Sequence, residues 1–146
     1  MKYIGKFTKY GIMEEFYYTT EHTWARISPD GTARVGLTDF AQKSLGPLVG
    51  FELPAVDDEV TQMEPFGVVE SSKTASDLFA PLSGKVKVTN DNVIDDPELV
   101  NREPYGGGWI MEVIPHNLEQ ELKELMSSDA AIRWMKGEVE NTGEPV

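Results

Sequence analysis

A chain of 146 residues, 40% hydrophobic and 26% charged, is long enough for one globular domain that folds without a metal or a disulfide. Thirteen Lys and Arg against 25 Asp and Glu leave a net charge of −12, which argues against a nucleic-acid surface or an anionic membrane, since both need a basic face. The absence of Cys removes disulfides, zinc thiolates, iron–sulfur ligation and thiol nucleophiles together.

Residues 1–15 mix Lys, Tyr and Gly without a clear period and read as a peripheral extension or an extra edge strand. They lack the apolar run of a signal peptide and the Arg- and Ser-rich pattern of a transit peptide. No stretch has the length of a membrane span, so the expectation is a cytoplasmic protein, or a matrix protein if the source is eukaryotic. Aromatic and β-branched residues at 16–19 and alternation over 22–27 predict the first strands. Ser28-Pro29-Asp30-Gly31 is a turn, because Pro presets φ and Gly takes the left-handed position, and 32–37 returns as the second arm. A short helix is expected over 38–46, with Asp39 capping its start, Gln42 reaching back and Gly46 closing it before Pro47. Further strands are predicted at 48–53, 66–70, 74–80, 84–89 and 109–114, and a helical turn at 96–100. Asn117 and Gln120 make a capping box for a helix whose apolar stripe is Leu118, Leu122, Leu125 and Met126. A second helix over 129–136 should stop at Gly137, leaving 138–146 as a flexible tail. The pattern is mainly β, a sandwich or barrel-like domain over 16–137 with short C-terminal helices. Its candidates for core or near-core positions are Trp24, Val35, Leu37, Val68, Val69, Leu78, Val86, Val88, Trp109 and Met111.

Templates for catalysis fail. His22 and His116 have no nucleophile at a recognisable spacing and read as structural or solvated. Asp57-Asp58-Glu59 and the acidic run at 91–96 lack the ligand alternation of a calcium loop and read as solvated turns. Gly106-Gly107-Gly108 opens no helix, and Gly84-Lys85 lies in no P-loop. A self-sufficient hydrolase built from Glu21, His22 and Asp39 would turn over without Lys73, and an unmodified scaffold would leave Lys73 bare.

Lys73 stands apart. It sits in a tight polar turn between two strands, within Phe66-Gly67-Val68-Val69-Glu70-Ser71-Ser72-Lys73-Thr74-Ala75-Ser76-Asp77-Leu78-Phe79-Ala80. Alone, a turn lysine is a solvated charge. On a rigid, protruding hairpin the same amine is also a handle for acylation, which removes its charge. The segment belongs to an ordered set: Glu21-His22-Thr23-Trp24, Val35-Gly36-Leu37-Thr38-Asp39-Phe40-Ala41-Gln42, Phe51-Glu52-Leu53-Pro54, the hairpin with Pro81-Leu82-Ser83-Gly84 behind it, then Asn101, Pro104-Tyr105 and Gly108-Trp109. With this set, residues 17–137 resemble the H protein of the glycine cleavage system, a lipoate carrier.

The resemblance implies a barrel-sandwich hybrid of the lipoyl/biotinyl type and a non-catalytic protein with lipoate in amide linkage on Lys73. It implies shuttling of an aminomethyl group from a pyridoxal-phosphate glycine decarboxylase (P protein) to a folate-dependent aminomethyltransferase (T protein). Electrons would pass to a flavin dihydrolipoyl dehydrogenase (L protein). A lipoate-attaching enzyme would read the hairpin, with Glu70 and Asp77 shaping the recognised surface. Ser72 and Thr74 beside the lysine argue against biotin, whose carriers place Met on both sides. The family's acid between His and Trp is Thr23 here, so Glu21 and Asp77 are the candidates for contact with the aminomethyl amine. Phe40 and Pro47 are further departures. The change at Thr23 admits a rival, an H-like lipoate-binding protein serving another pathway such as sulfur-compound oxidation.

Overall fold

The computed structural model describes residues 3–7, 10–13 and 15–141. Its elements in chain order are β1 (Tyr3–Phe7), β2 (Tyr10–Met13), β3 (Tyr17–Tyr18), β4 (Thr23–Ile27), β5 (Ala33–Leu37), α1 (Asp39–Leu45), β6 (Leu48–Glu52) and β7 (Glu59–Val60). There follow β8 (Pro65–Ser71), β9 (Ala75–Phe79), β10 (Gly84–Thr89), α2 (Asp91–Asp95), α3 (Leu99–Arg102), β11 (Met111–Pro115), α4 (Leu118–Leu122) and α5 (Ser128–Asn141).

Alternation along the strands decides which face each residue takes. In β4 and β5, Ala25, Ala33 and Val35 turn inward, while Arg26 and Arg34 face out. Among the described residues the strands form a six-stranded sheet ordered β3-β4-β5-β11-β10-β7, a three-stranded sheet β6-β8-β9 and a two-stranded sheet β1-β2. The named pairings are all antiparallel. Inner faces of the two larger sheets meet around Leu37, Leu48, Val69, Leu78 and Ile110, with Val93 of α2 and Val100 of α3 closing the end. A neighbouring cluster of Ala25, Val35, Leu82, Val86, Met111 and Val113 continues this core.

A third cluster lies on the other side of the six-stranded sheet. There Phe16, Tyr18, Trp24 and Tyr105 pack with Ile12, Met13, Ala131 and Met135. Trp24 fits because Gly36 faces it across the ladder; a Cβ on Gly36 would stand 2.4 Å from the indole ring. The indole N–H lies 2.9 Å from Leu37 O and 3.0 Å from Pro104 O, so its buried donor is satisfied.

Several expectations change. Residues 11–13 are not peripheral: Ile12 is fully buried and Met13 nearly so. Tyr18 OH accepts from Met13 N and donates to Met13 O, and Tyr105 OH donates to Gly11 O at 2.7 Å. The cap of α1 is Thr38, whose hydroxyl accepts from Ala41 N, rather than Asp39. Asp39 instead accepts from Gly11 N and Gln42 Nε2, while Gly46 closes the helix at φ 81° as expected. Residues 91–95, read as a solvated turn, form α2 with Asn90 as its N-cap. Asn117 makes no side-chain cap bond, and α4 ends at Leu122, although Leu118, Leu122 and Leu125 do pack on the core. α5 runs through Gly137 to Asn141 rather than stopping at 137; a glycine that closes a helix commonly takes a positive φ, and Gly137 does not. Of the core or near-core candidates only Val88 is exposed, because the β10 bulge places it opposite Glu112 on the outer face; Val68 and Trp109 are half-buried, in keeping with near-core positions. His22 precedes β4 in a turn with φ 66° instead of lying in the strand.

Candidate functional site

β8 and β9 are joined by a four-residue turn, Ser71-Ser72-Lys73-Thr74, built as its sequence requires. Ser71 N donates to Thr74 O at 2.8 Å. The buried Ser71 hydroxyl accepts from Lys73 N at 3.2 Å and Thr74 N at 3.1 Å, so one short polar side chain satisfies the turn's inward amides. Ser72 N donates to Pro47 O at 3.2 Å, tying the turn to the α1–β6 connection. With the backbone held from below, Lys73 points to solvent. It is exposed, as are Ser72, Thr74 and Ala75, and its ammonium meets no partner among the described residues.

Register arranges the surrounding carboxylates. Glu70 lies between Gly50 of β6 and Ala75 of β9, two residues with little or no side chain, so its carboxylate stands clear. Val68 lies between Glu52 and Asp77 in the same way. Glu52, Glu70 and Asp77 therefore share the outer face of the β6-β8-β9 sheet, exposed and without a paired cation among the described residues. The hairpin thus presents one amine at its apex and an acidic plane beside it.

Glu21 does not join this plane along a strand. It lies exposed in the turn before β4, outside the strand that carries Thr23. Thr23 is fully buried; its hydroxyl donates to Phe79 O at 2.8 Å and shares a hydrogen bond with the Thr19 hydroxyl. That side chain spends its polarity on joining β4 to the end of β9. The turn carrying Glu21 is thereby set near the end of β9 remote from Lys73, roughly 13 Å along the strand.

Four residues carry more than the sequence disclosed. His22 stacks on Phe40 with centroids 4.7 Å apart and lies 4.7 Å from Trp134 of α5. Burial lowers its pKa to about 4, so the ring is neutral at ordinary pH. Thr23 and Asn101 make contacts to residues 56 and 53 positions away, which no local periodicity reveals. His116 pairs with Glu59 at 2.6 Å on the surface. Among the described residues no group of three or more His, Asp or Glu could hold a metal, and no helix is long and apolar enough to cross a membrane.

Two antiparallel sheets packed on a shared core, with a lysine displayed at the apex of one hairpin, define a structural class. The comparisons make the class specific. Residues 16–138 match the family model described as "Glycine cleavage H-protein". A probable glycine cleavage system H protein of Pyrococcus abyssi is 46% identical over 128 residues, 88% of this chain and 95% of that one. The glycine cleavage system H protein of Carboxydothermus hydrogenoformans is 50% identical over 119 residues, 81% of this chain and 89% of its own. A crystal structure of a glycine cleavage system H protein from Mycobacterium marinum superposes with a TM-score of 0.69 at 43% identity, over 72% of this chain and 87% of that one. The chain belongs to the glycine cleavage H-protein family, with the lipoyl-type β-sandwich fold.

Proposed function

We propose that this chain is the lipoyl carrier of the glycine cleavage system, with lipoate joined in amide linkage to Nζ of Lys73. In this reading it shuttles an aminomethyl group from glycine decarboxylase to the aminomethyltransferase, and electrons to dihydrolipoyl dehydrogenase. The observation that carries it is the exposed amine, without a partner among the described residues, at the apex of a turn whose backbone N–H groups are all hydrogen-bonded. An amine destined for an amide must reach into an enzyme's pocket, and a lysine packed inward or locked in a buried pair could not.

Bound there, lipoate supplies a disulfide that is reduced and reoxidised and a sulfur that holds a one-carbon amine. The chain's own residues display and present it. Ser71 fixes the turn, and the acidic plane of Glu52, Glu70 and Asp77 offers a basic partner a complementary surface. The attaching enzyme is the first such partner in this reading, with Glu70 and Asp77 in the surface it contacts. Tethering makes each visit of the arm to an active site effectively intramolecular, so local concentration replaces free diffusion. The role is carriage, with the bond-making done by the partner enzymes.

Thr23 favours examining the rival, a lipoate carrier for another pathway such as sulfur-compound oxidation, because its hydroxyl is committed to Phe79 O and supplies no carboxylate. One experiment separates the two. The lipoylated chain, mixed with glycine decarboxylase, should support glycine-dependent exchange of labelled bicarbonate, and Lys73→Arg should abolish it. Lipoylation without exchange transfers the carrier to the rival pathway.

A further inference from the structure

The geometry points to Asn101 as a positioning residue for the Lys73 turn, acting through the α1–β6 connection. This rests on the Lys73 reading for its functional consequence, although not for its structural one. Asn101 lies on α3, far from the hairpin in sequence, and its side chain makes three hydrogen bonds. Its Oδ1 accepts from Leu48 N at 3.0 Å, and its Nδ2 donates to Gly46 O and to Gln42 Oε1, each at 3.0 Å. Gly46 and Leu48 flank Pro47, so one amide grips the chain on both sides of that residue. Pro47 O is the acceptor for Ser72 N, the residue before Lys73. Asn101 therefore fixes the carbonyl that fixes the turn.

The orientation of this amide is forced by its partners. Asp39 Oδ2 accepts from Gly11 N, and its Oδ1 lies 2.7 Å from Gln42 Nε2. A carboxylate only accepts, so Gln42 must present its NH₂ to Asp39 and its carbonyl to Asn101. Asn101 must then offer NH₂ to Gln42 and Gly46, which leaves its carbonyl for the backbone N–H of Leu48. Gln42 and Asp39 are both largely buried, so an amide turned the wrong way would strand donors and acceptors out of reach of water. Asparagine alone among short side chains supplies one acceptor and two donors in this arrangement. Pro47 adds stiffness to the link, because its ring fixes its own φ.

The test uses the unmodified full chain with Asn101→Ala, Asn101→Ser and, as a stability control on the remote strand β11, Val113→Ala. Hydrogen exchange of the Ser72 amide should speed up several-fold in both Asn101 variants and stay unchanged in Val113→Ala at matched loss of Tm. Lipoylation by the attaching enzyme, followed by intact mass, should lose about tenfold in kcat/KM in Asn101→Ala and less than twofold in the control. Asn101→Ser, the milder change, decides the matter if Ala does not fold. Unaltered Ser72 exchange in a folded Asn101 variant would overturn the assignment, as would a control slowed as much as the variant. If the wild-type chain accepts no lipoate, the carrier reading fails and the exchange arm still decides the role of Asn101.

Discussion

His22 holds a left-handed backbone at the entry to β4 while its ring is stacked between α1 and α5. Non-glycine residues adopt that conformation at a cost, and aromatic contacts on both sides of the ring offset it here. Burial has a consequence in pH. The unfolded chain binds a proton at this ring near 6.5 and the folded chain only near 4, so protons favour unfolding between those values. The contribution of His22 is complete above about pH 6.5, falls as pH drops toward 4 and is lost below, at most roughly 3 kcal/mol. Asparagine tolerates the same backbone without titrating. His22→Asn should therefore flatten the decline of Tm between pH 6.5 and 4 relative to wild type; an unaltered slope would show that the ring does not govern it. At this scale the sequence disclosed Lys73, because a lysine in a polar turn between two alternating strands has one place to go. It did not disclose the task of Thr23, whose hydroxyl donates to Phe79 O, 56 residues away. It also offered Glu21 as a candidate contact, and the structure sets that residue in the turn before β4, next to His22 with its positive φ.

The same contrast holds for elements. Those with a strong local signal were legible: the 28–31 turn, the β8–β9 hairpin and β10 with its alternating valines. β7 was not, since its two residues are too short to display a period and pair only through β10. The N-terminal extension looked peripheral because Tyr, Gly and Lys alternate there without rhythm, yet Ile12 and Met13 enter the core through bonds made by Tyr18 and Tyr105. α5 outran its expected stop because glycine was read as a terminator. A Cβ at Gly137 would meet nothing within 4 Å, and the residue lies inside α5. Gly137→Ala should accordingly stabilise the protein by about 0.5–1 kcal/mol, chiefly by restricting the unfolded chain, and raise Tm by a few degrees. A lowered Tm in a thermal melt would mean that the helix does not persist through this residue.

For the molecule as a whole, two sheets closed on a shared core produce a body rigid enough to hold one hairpin clear of the surface. Val69 and Leu78 anchor the inner faces of β8 and β9, while the outer faces keep Glu70 and Asp77 in water. Packing and display are thus two sides of the same strands. Part of the net charge of −12 stands beside the Lys73 turn, as Glu52, Glu70 and Asp77 on one sheet face. Family membership is secure from the matched residues 16–138, and the carrier role follows if Lys73 bears the acyl arm. The most direct measurement is the mass of the hairpin peptide from protein isolated from its native cells. The account predicts an increment of one lipoyl group on Lys73, absent from Lys73→Arg in an otherwise folded protein. A bare Lys73 in cells that run the glycine cleavage system, or the group found on another lysine, would contradict it.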